Sequence, residues 1–398
     1  MSITIQEISG TRGLKKFAKF PINLYKGNEY YVPALVLDEV GTLNSKNNPA
    51  FDFCESVYYM AYKDGEPVGR IAGIINHKAN EKAGEKAGRF GFVDFIDDKE
   101  VSKALFNAVE KWAKSKGMTE IHGPLGFTDM DPEGTLVEGF DQLSTMSAIY
   151  NYPYYPQHIE SMGYEKAIDW VEYKIKVPEC VPEKHQRISD IVQRKYNLRI
   201  LKFKSASDVY KGNYGQKIFD LINDAYADLY GYSTLSQRQI DYYVKMYIPL
   251  LRLENVTAIV DEQDDLIAVG IAIPSLSKAL QKSKGRLFPF GFIHLLKALN
   301  HGFQLFRRTA RTVQIYLIHN LCSCIVIQIR FSCRNRNPVI AYSLPIHIQK
   351  GNTQFIRGRN IGTSDSLHNP ADPIRCCHNQ HVSALTGSQA TFHNTFRK

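Results

Sequence analysis

The stretch His122-Gly-Pro-Leu-Gly-Phe-Thr-Asp-Met-Asp-Pro-Glu-Gly134 brings an imidazole and three carboxylates, Asp129, Asp131 and Glu133, into one short run. Groups of these types take protons from an amine or hold it as an ammonium. The run follows the C-terminal end of a strand, where open α/β sheets place their ligands. Its other reading is an ordered surface loop built on Asp and Gly turns. The carboxylate at every second position also hints at a cation loop, but no further ligand stands in register. A second group is aromatic: Tyr152, Tyr154 and Tyr155 flank Pro153 and Pro156. One of them, with Tyr155 as the choice, could protonate a leaving group, although packing against a sheet is the commoner use of such a cluster. His158 stands alone and reads as structural. Asp97, Asp98 and Glu100 crowd a helix start, and Asp97 with Glu100 three residues on reads as a capping box. Cys54 and Cys180 have no histidine in a local motif and are expected as reduced thiols. The phosphate, dinucleotide, zinc-protease and serine-hydrolase signatures are absent from the sequence.

The elements that must position these groups follow from periodicity. Residues 56–62 and 68–75 read as a hairpin around the turn Lys63-Asp-Gly-Glu-Pro67. Residues 89–96 read as a strand, and 99–116 as a helix with one apolar face (Val101, Ala104, Leu105, Ala108, Val109, Trp112) that Gly117 stops. A strand at 119–126 completes a strand-helix-strand unit, which calls for a parallel pair. The segment 161–177 alternates as a closing strand. A linker is expected near Val177-Pro-Glu-Cys-Val-Pro182. Beyond it, Ile218, Leu221, Ile222, Ala225 and Leu229 share a helical face, as do Ile240, Tyr243, Val244 and Tyr247. A hairpin follows at 255–260 and 266–273. Gly212 and Gly215 are too closely spaced for a phosphate cradle.

Composition breaks sharply near residue 300. The chain has 398 residues and a formal net charge of +9. Residues 1–300 carry 37 Lys and Arg against 38 Asp and Glu, whereas 301–398 carry 12 against 2. The first part uses 28 Lys and 9 Arg, the second 2 Lys and 10 Arg, with five of seven Cys and seven of twelve His. The basic balance is therefore a property of the last quarter and does not mark the body as a nucleic-acid binder. In that quarter only Cys324–Phe331 reads as a strand. A nucleic-acid arm would cluster its Arg residues, and a zinc site from Cys322, Cys324, Cys333, Cys376, Cys377 and His378 lacks paired CxxC spacing. The preferred reading is a shifted frame or rearranged gene end, with a disordered extension as the alternative. No run of apolar residues is long enough to span a membrane, and MSITIQEISGTRGLKKF has no leader-like apolar core. The expectation is therefore a cytoplasmic protein without a membrane partner.

The order of elements over about 55–275 resembles the GNAT acyltransferases. The segment 151–175, with Met162-Gly163-Tyr164 entering a strand, resembles the element near the end of a GNAT domain. Residues from Phe219 to Ser275 resemble the first half of another. The fold implied is a mixed α/β sheet in two GNAT-like units, 1–178 and an incomplete 183–300, followed by the anomalous tail 301–398. The activity implied is transfer of an acetyl or other acyl group from acetyl-CoA, as co-substrate, to a small-molecule or peptide amine. The resemblance implies the co-substrate's pyrophosphate at the start of the central helix, at Asp98, Lys99 and Glu100, and catalysis by His122, Asp129, Glu133 and Tyr155. Departures stand beside it. The family's glycine-rich loop is missing at 96–100, where three carboxylates would repel a pyrophosphate. No such loop follows Asn300 either, so transfer is expected to be impaired. The alternative is a non-catalytic GNAT-fold binding protein. A third reading, aminoacyl transfer from tRNA, calls for a basic groove that the body's charge does not offer.

Overall fold

The computed structural model describes residues 2–174, 181, 183–248, 251, 253–273, 275–299, 314–319, 345–347 and 389–398. The linker and the Cys324–Phe331 strand expected above, and the cysteines and His378 weighed as zinc ligands, lie outside the described residues but for the linker's Val181.

The first unit is a mixed sheet with helices packed on it. Strand β1 (Ile3–Glu7) lies antiparallel to β2 (Cys54–Lys63), and helices α1 (Gly10–Leu24) and α2 (Val36–Leu43) fill the connection. The expected hairpin is β2 with β3 (Glu66–Asn76). Its turn residues Asp64 and Gly65 both have positive φ, 53° and 86°, the backbone that a tight hairpin with native twist needs. After α3 (His77–Ala83) come β4 (Ala87–Phe95), α4 (Lys99–Ser115) and β5 (Glu120–Gly123). Strands β4 and β5 are parallel, as the crossover helix requires.

Helix α4 buries Val101, Leu105, Phe106 and Val109 against β2 and β3. Gly69 and Gly73 on β3 leave room for Leu105 and Trp112, because a Cβ there would come within 2.6 and 2.9 Å of those side chains. The helix starts one residue later than a capping box from Asp97 would have it. Asp98 is the cap and accepts the N–H groups of Glu100 and Val101, whereas Asp97 lies 3.0 Å from His158 Nε2. Strand β6 (Thr135–Glu138), α5 (Tyr154–Ser161) and β7 (Glu165–Lys174) follow. Gly163, at φ 85°, makes the turn into β7, and Tyr164 behind it is buried.

The second unit holds α6 (Glu183–Lys195), β8 (Arg199–Leu201), α7 (Ala206–Lys211), α8 (Tyr214–Ala225), α9 (Gln237–Tyr247), β9 (Val256–Val260), β10 (Leu266–Ile273) and α10 (Ser277–Ser283). The two predicted helical faces fall on α8 and α9, except that Leu229 lies beyond the end of α8 at Ala225, and the helices close a core on Val256, Ala258 and Val269. A capping box of Ser236 and Gln239 starts α9. Strand β11 (Gln314–His319) adds to β10, giving the order β11-β10-β9-β8.

The tail departs from its expectation at the far end. Beyond β12 (Pro345–His347), β13 (Gln389–Arg397) enters the first unit's sheet between β5 and β7 and also pairs with β6. It fits as a core strand: Thr395 and Phe396 are fully buried, and Trp170 Nε1 donates to Thr395 Oγ1 at 2.7 Å. Arg397 pairs with Glu85 and Glu120, and Lys398 with Glu110. The sheet thus runs β1-β2-β3-β4-β5-β13-β7-β12. Among the described residues no helix is long and apolar enough to cross a membrane.

Candidate acceptor site between the two units

The carboxylate run leaves the end of β5 and is pinned from several sides. Leu125 N–H donates to Phe90 O at 2.9 Å, and Gly134 N–H donates to Pro124 O at 3.0 Å. Asp131 folds the turn inward, accepting the N–H groups of Phe127 at 2.8 Å and Thr128 at 3.2 Å. Buried Arg89 of β4 donates to Gly126 O at 3.1 Å and, across the unit boundary, to Gly231 O at 2.6 Å. One guanidinium thus ties loop, sheet and second unit together and faces the three carboxylates with a positive charge.

Asp129 and Glu133 reach the wall of a cavity of about 370 Å³ between the units. This size is ordinary for a small-molecule site. Helices α8 and α9 supply an apolar wall that includes Ile218, Phe219, Ile222, Tyr243 and Tyr247, while Met146, Ala148, Trp170 and His393 close it from the first unit. Gly215 lets α8 approach α9, since a Cβ there would sit 3.0 Å from both Val244 methyls.

The electrostatics follow from burial. Both carboxylate oxygens of Asp129 are buried without a hydrogen-bond partner among the described residues. Burial pushes its carboxyl up to about 7, with Arg89 and Lys82 pulling the other way and Asp131 adding to the rise. Burial, with Asp129 adding to it and Arg89 opposing, holds Glu133 well above the usual carboxylate value. Asp131 rises to about 6 through burial, opposed by its two backbone N–H bonds. The run therefore separates by role. Asp131 is spent on the turn, while Asp129 has no partner among the described residues and Glu133 lines the same cavity.

The remaining expected site residues lie elsewhere. His122 does not line this cavity. Its Nδ1 is 2.8 Å from Tyr230 Oη, and burial, then Arg89 and Arg397, hold its pKa well below the usual value. It joins the units as a neutral ring. Tyr155 is 1% exposed, and its hydroxyl accepts Phe95 N–H and bonds Tyr25 Oη, each at 2.9 Å. Its ring stacks on Phe95 at 4.2 Å, so it serves the core. Asp98, Lys99 and Glu100 do not fit a pyrophosphate. Asp98 already occupies the first N–H groups of α4 and pairs with Lys63 at 2.8 Å. Nor is there room between the adjoining strands: a Cβ on Gly91 would come within 2.2 Å of Leu125 O. Cys54 is a buried free thiol pushed up to about 12 by burial. His158 bonds Ser102 Oγ at 3.0 Å and packs on Phe95 and Tyr154.

Sequence reasoning missed His393 and Arg89. His393 lies on β13 opposite Leu136 of β6 and Trp170 of β7, is 3% exposed, and has neither ring nitrogen bonded among the described residues. No local pattern marks it, since Thr391-Phe-His-Asn-Thr-Phe-Arg397 does not alternate apolar and polar residues.

Comparison with known proteins finds two relatives of similar length. Protein YghO of Escherichia coli (strain K12) is 28% identical over 287 residues, covering 71% of each chain. A bacterial ceramide synthase of Caulobacter vibrioides (strain NA1000 / CB15N) is 27% identical over 290 residues, covering 71% of this chain and 73% of the relative. Two solved structures are also similar over the full chain. A tandem GNAT protein from the clavulanic acid biosynthesis pathway matches with TM-score 0.45 and 10% identity, covering 100% of this chain and 98% of its own. A GCN5-related N-acetyltransferase from Sphaerobacter thermophilus matches with TM-score 0.45 and 9% identity, covering 100% and 95%. No family model matches the chain.

Proposed function

We propose that this protein is an N-acyltransferase of GNAT type whose acceptor, a long-chain amine, binds in the cavity between the two units. The observation that carries the reading is the unbonded, buried carboxylate of Asp129 set beside an apolar wall in one cavity. An ammonium offers only donors, and Asp129 and Glu133 offer only acceptors once ionised. The aliphatic chain lies against Ile218, Phe219 and Ile222 of α8. The relative named a ceramide synthase supports this class, since a ceramide is an amide of a long-chain amine.

The chemistry of the chain's own residues is on the acceptor side. An ammonium is no nucleophile and must lose a proton before it can attack an acyl carbon. A base with pKa near the working pH is best placed to take it, and Asp129, at about 7, has that value. Burial excludes water, so the neutral amine is not re-protonated from solvent. The acyl donor, acetyl-CoA or a longer acyl-CoA, is not assigned to the start of α4, where Asp98 and Glu100 oppose it. Transfer by this chain is therefore expected to be weak. The non-catalytic binding reading draws on the same feature, the capped start of α4.

The test incubates the full chain with dodecylamine and either acetyl-CoA or palmitoyl-CoA, and follows amide and free thiol together. Stoichiometric amide and thiol that Asp129→Asn lowers about 10²–10⁴-fold would support the enzyme. Saturable amine binding with no thiol released from either donor would give the binding reading first place.

A further inference from the structure

We propose that the segment following α10 is a membrane-docking surface: Phe288, Phe290, Phe292 and Leu296 enter the boundary region of an anionic bilayer while the basic residues around them meet its headgroups. The observation that carries it is an apolar patch that the fold leaves outside. Phe288 and Phe290 are 70% and 69% exposed, and Phe292 and Leu296 are exposed beside them. None of these residues lines the cavity, so the surface is independent of the amine reading.

The base of the patch is fixed to the first unit. Ser277 Oγ at the start of α10 donates to Ser144 O at 2.9 Å, and Gln281 Nε2 donates to Glu29 O and Tyr31 O at 2.8 and 2.9 Å. Val36 N–H of α2 donates to Gly285 O at 3.0 Å, and a Cβ on Gly285 would come within 2.6 Å of Ile22 Cδ1. Beyond this anchor the chain turns back on itself, with Phe292 N–H donating to Leu287 O at 2.8 Å, and residues 291–299 run as a helix. The rings of Phe288 and Phe292 lie 6.0 Å apart, and Phe292 and Leu296, four residues apart, share one helical face. Apolar residues exposed singly are ordinary on a surface, whereas a contiguous group marks a place of contact.

The charge around the patch identifies the partner. Residues 276–299 contain Lys278, Lys282, Lys284, Arg286 and Lys297 and no Asp or Glu. All five basic side chains are exposed. A second copy docking patch to patch would set these cations against their own kind with no acid between them, so self-association is opposed. Duplex nucleic acid would use the cations and leave the phenylalanines in water. An anionic bilayer uses both, because its surface attracts Lys and Arg and its boundary region takes up Phe and Leu. The expectation of no membrane partner rests on the lack of a span. Among the described residues no helix is long and apolar enough to cross, and lying on a bilayer needs none.

The experiment floats the full chain with vesicles of phosphatidylcholine alone, or with about one phosphatidylglycerol in three lipids, at about 0.1 M and 0.5 M salt. The chain should float with the anionic vesicles at low salt, roughly tenfold less at high salt, and scarcely with phosphatidylcholine. Phe288→Ser with Phe290→Ser should lower the partition about tenfold or more, and Lys282→Glu with Lys284→Glu about as much. All four side chains are exposed, so both pairs should keep the wild-type urea midpoint. Absence of the wild type from the floated anionic vesicles overturns the proposal. Flotation that survives the phenylalanine pair also overturns it and assigns binding to the basic segment beyond residue 300. Equal flotation with both vesicles, or a lysine pair without effect, overturns the role of the charges. A dimer in gel filtration that Phe290→Ser dissociates, without flotation, would make the patch an interface between copies and refute the bilayer.

Discussion

On the proposed function, Asp129 is the residue that takes the amine's proton. Its carboxyl is raised to about 7 from a reference of 3.8 because its oxygens are buried and unbonded. The folded protein therefore holds this proton more tightly than the unfolded chain does. The stabilisation is complete below the unfolded value and is lost as pH rises through about 7. Asp129→Asn has no proton to lose. It should gain about 2–4 kcal/mol relative to wild type between pH 4 and pH 8, read as diverging urea midpoints, and parallel midpoints would refute the assignment. Asp129 and Glu133, which line the cavity, were legible as candidates because carboxylates after a strand end stand out. It did not separate them from Asp131, since only the backbone bonds to Phe127 and Thr128 show which acid is spent on the turn. Tyr155 and His122 had suitable chemistry, but their hydroxyl and ring are committed to Tyr25, Phe95 and Tyr230.

Strand β3 places Arg70 in the core, where it meets Asp94 at 2.8 Å, Glu39 and the carbonyl of Phe17. Removing the guanidinium leaves two buried acids uncompensated. Arg70→Met should cost about 3–5 kcal/mol in denaturant unfolding. The turn into β6 depends on Gly134, whose φ of 81° an L-residue adopts only with strain. Gly134→Ala should cost about 1–3 kcal/mol in denaturant unfolding. Most elements were legible because period and punctuation agree: Asp64-Gly65 in the first hairpin, the α4 stripe ending at Gly117, and the faces of α8 and α9. The start of α4 was misread by one residue because Asp97 and Asp98 are equally good caps by type. Only His158, brought up by α5, decides which of them turns away.

At the scale of the whole molecule, β13 changes the meaning of the composition break. Ten residues that looked like part of an anomalous tail close the first unit's sheet and bring His393 to the cavity. The sequence hid this because strand pairing over more than two hundred residues leaves no local pattern. Deleting 389–398 would bare the edges of β5 and β7, and the shortened chain should aggregate on expression. If residues after 300 are out of frame, the frame must return before Gln389. Translating the coding DNA in all three frames should then show a continuous α/β pattern in another frame between about codons 300 and 388. An uninterrupted single frame with no better alternative would assign the basic segment its own role.

On the proposed function the cavity holds an amine on the Asp129 carboxylate. Calorimetry of dodecylamine with wild type and Asp129→Asn from pH 6 to pH 8 tests it most directly. The prediction is wild-type affinity that rises roughly tenfold through about pH 7 as the carboxyl ionises, and a weaker, pH-independent affinity in the variant. Affinity that is flat in both proteins, or equal between them at pH 8, would contradict it.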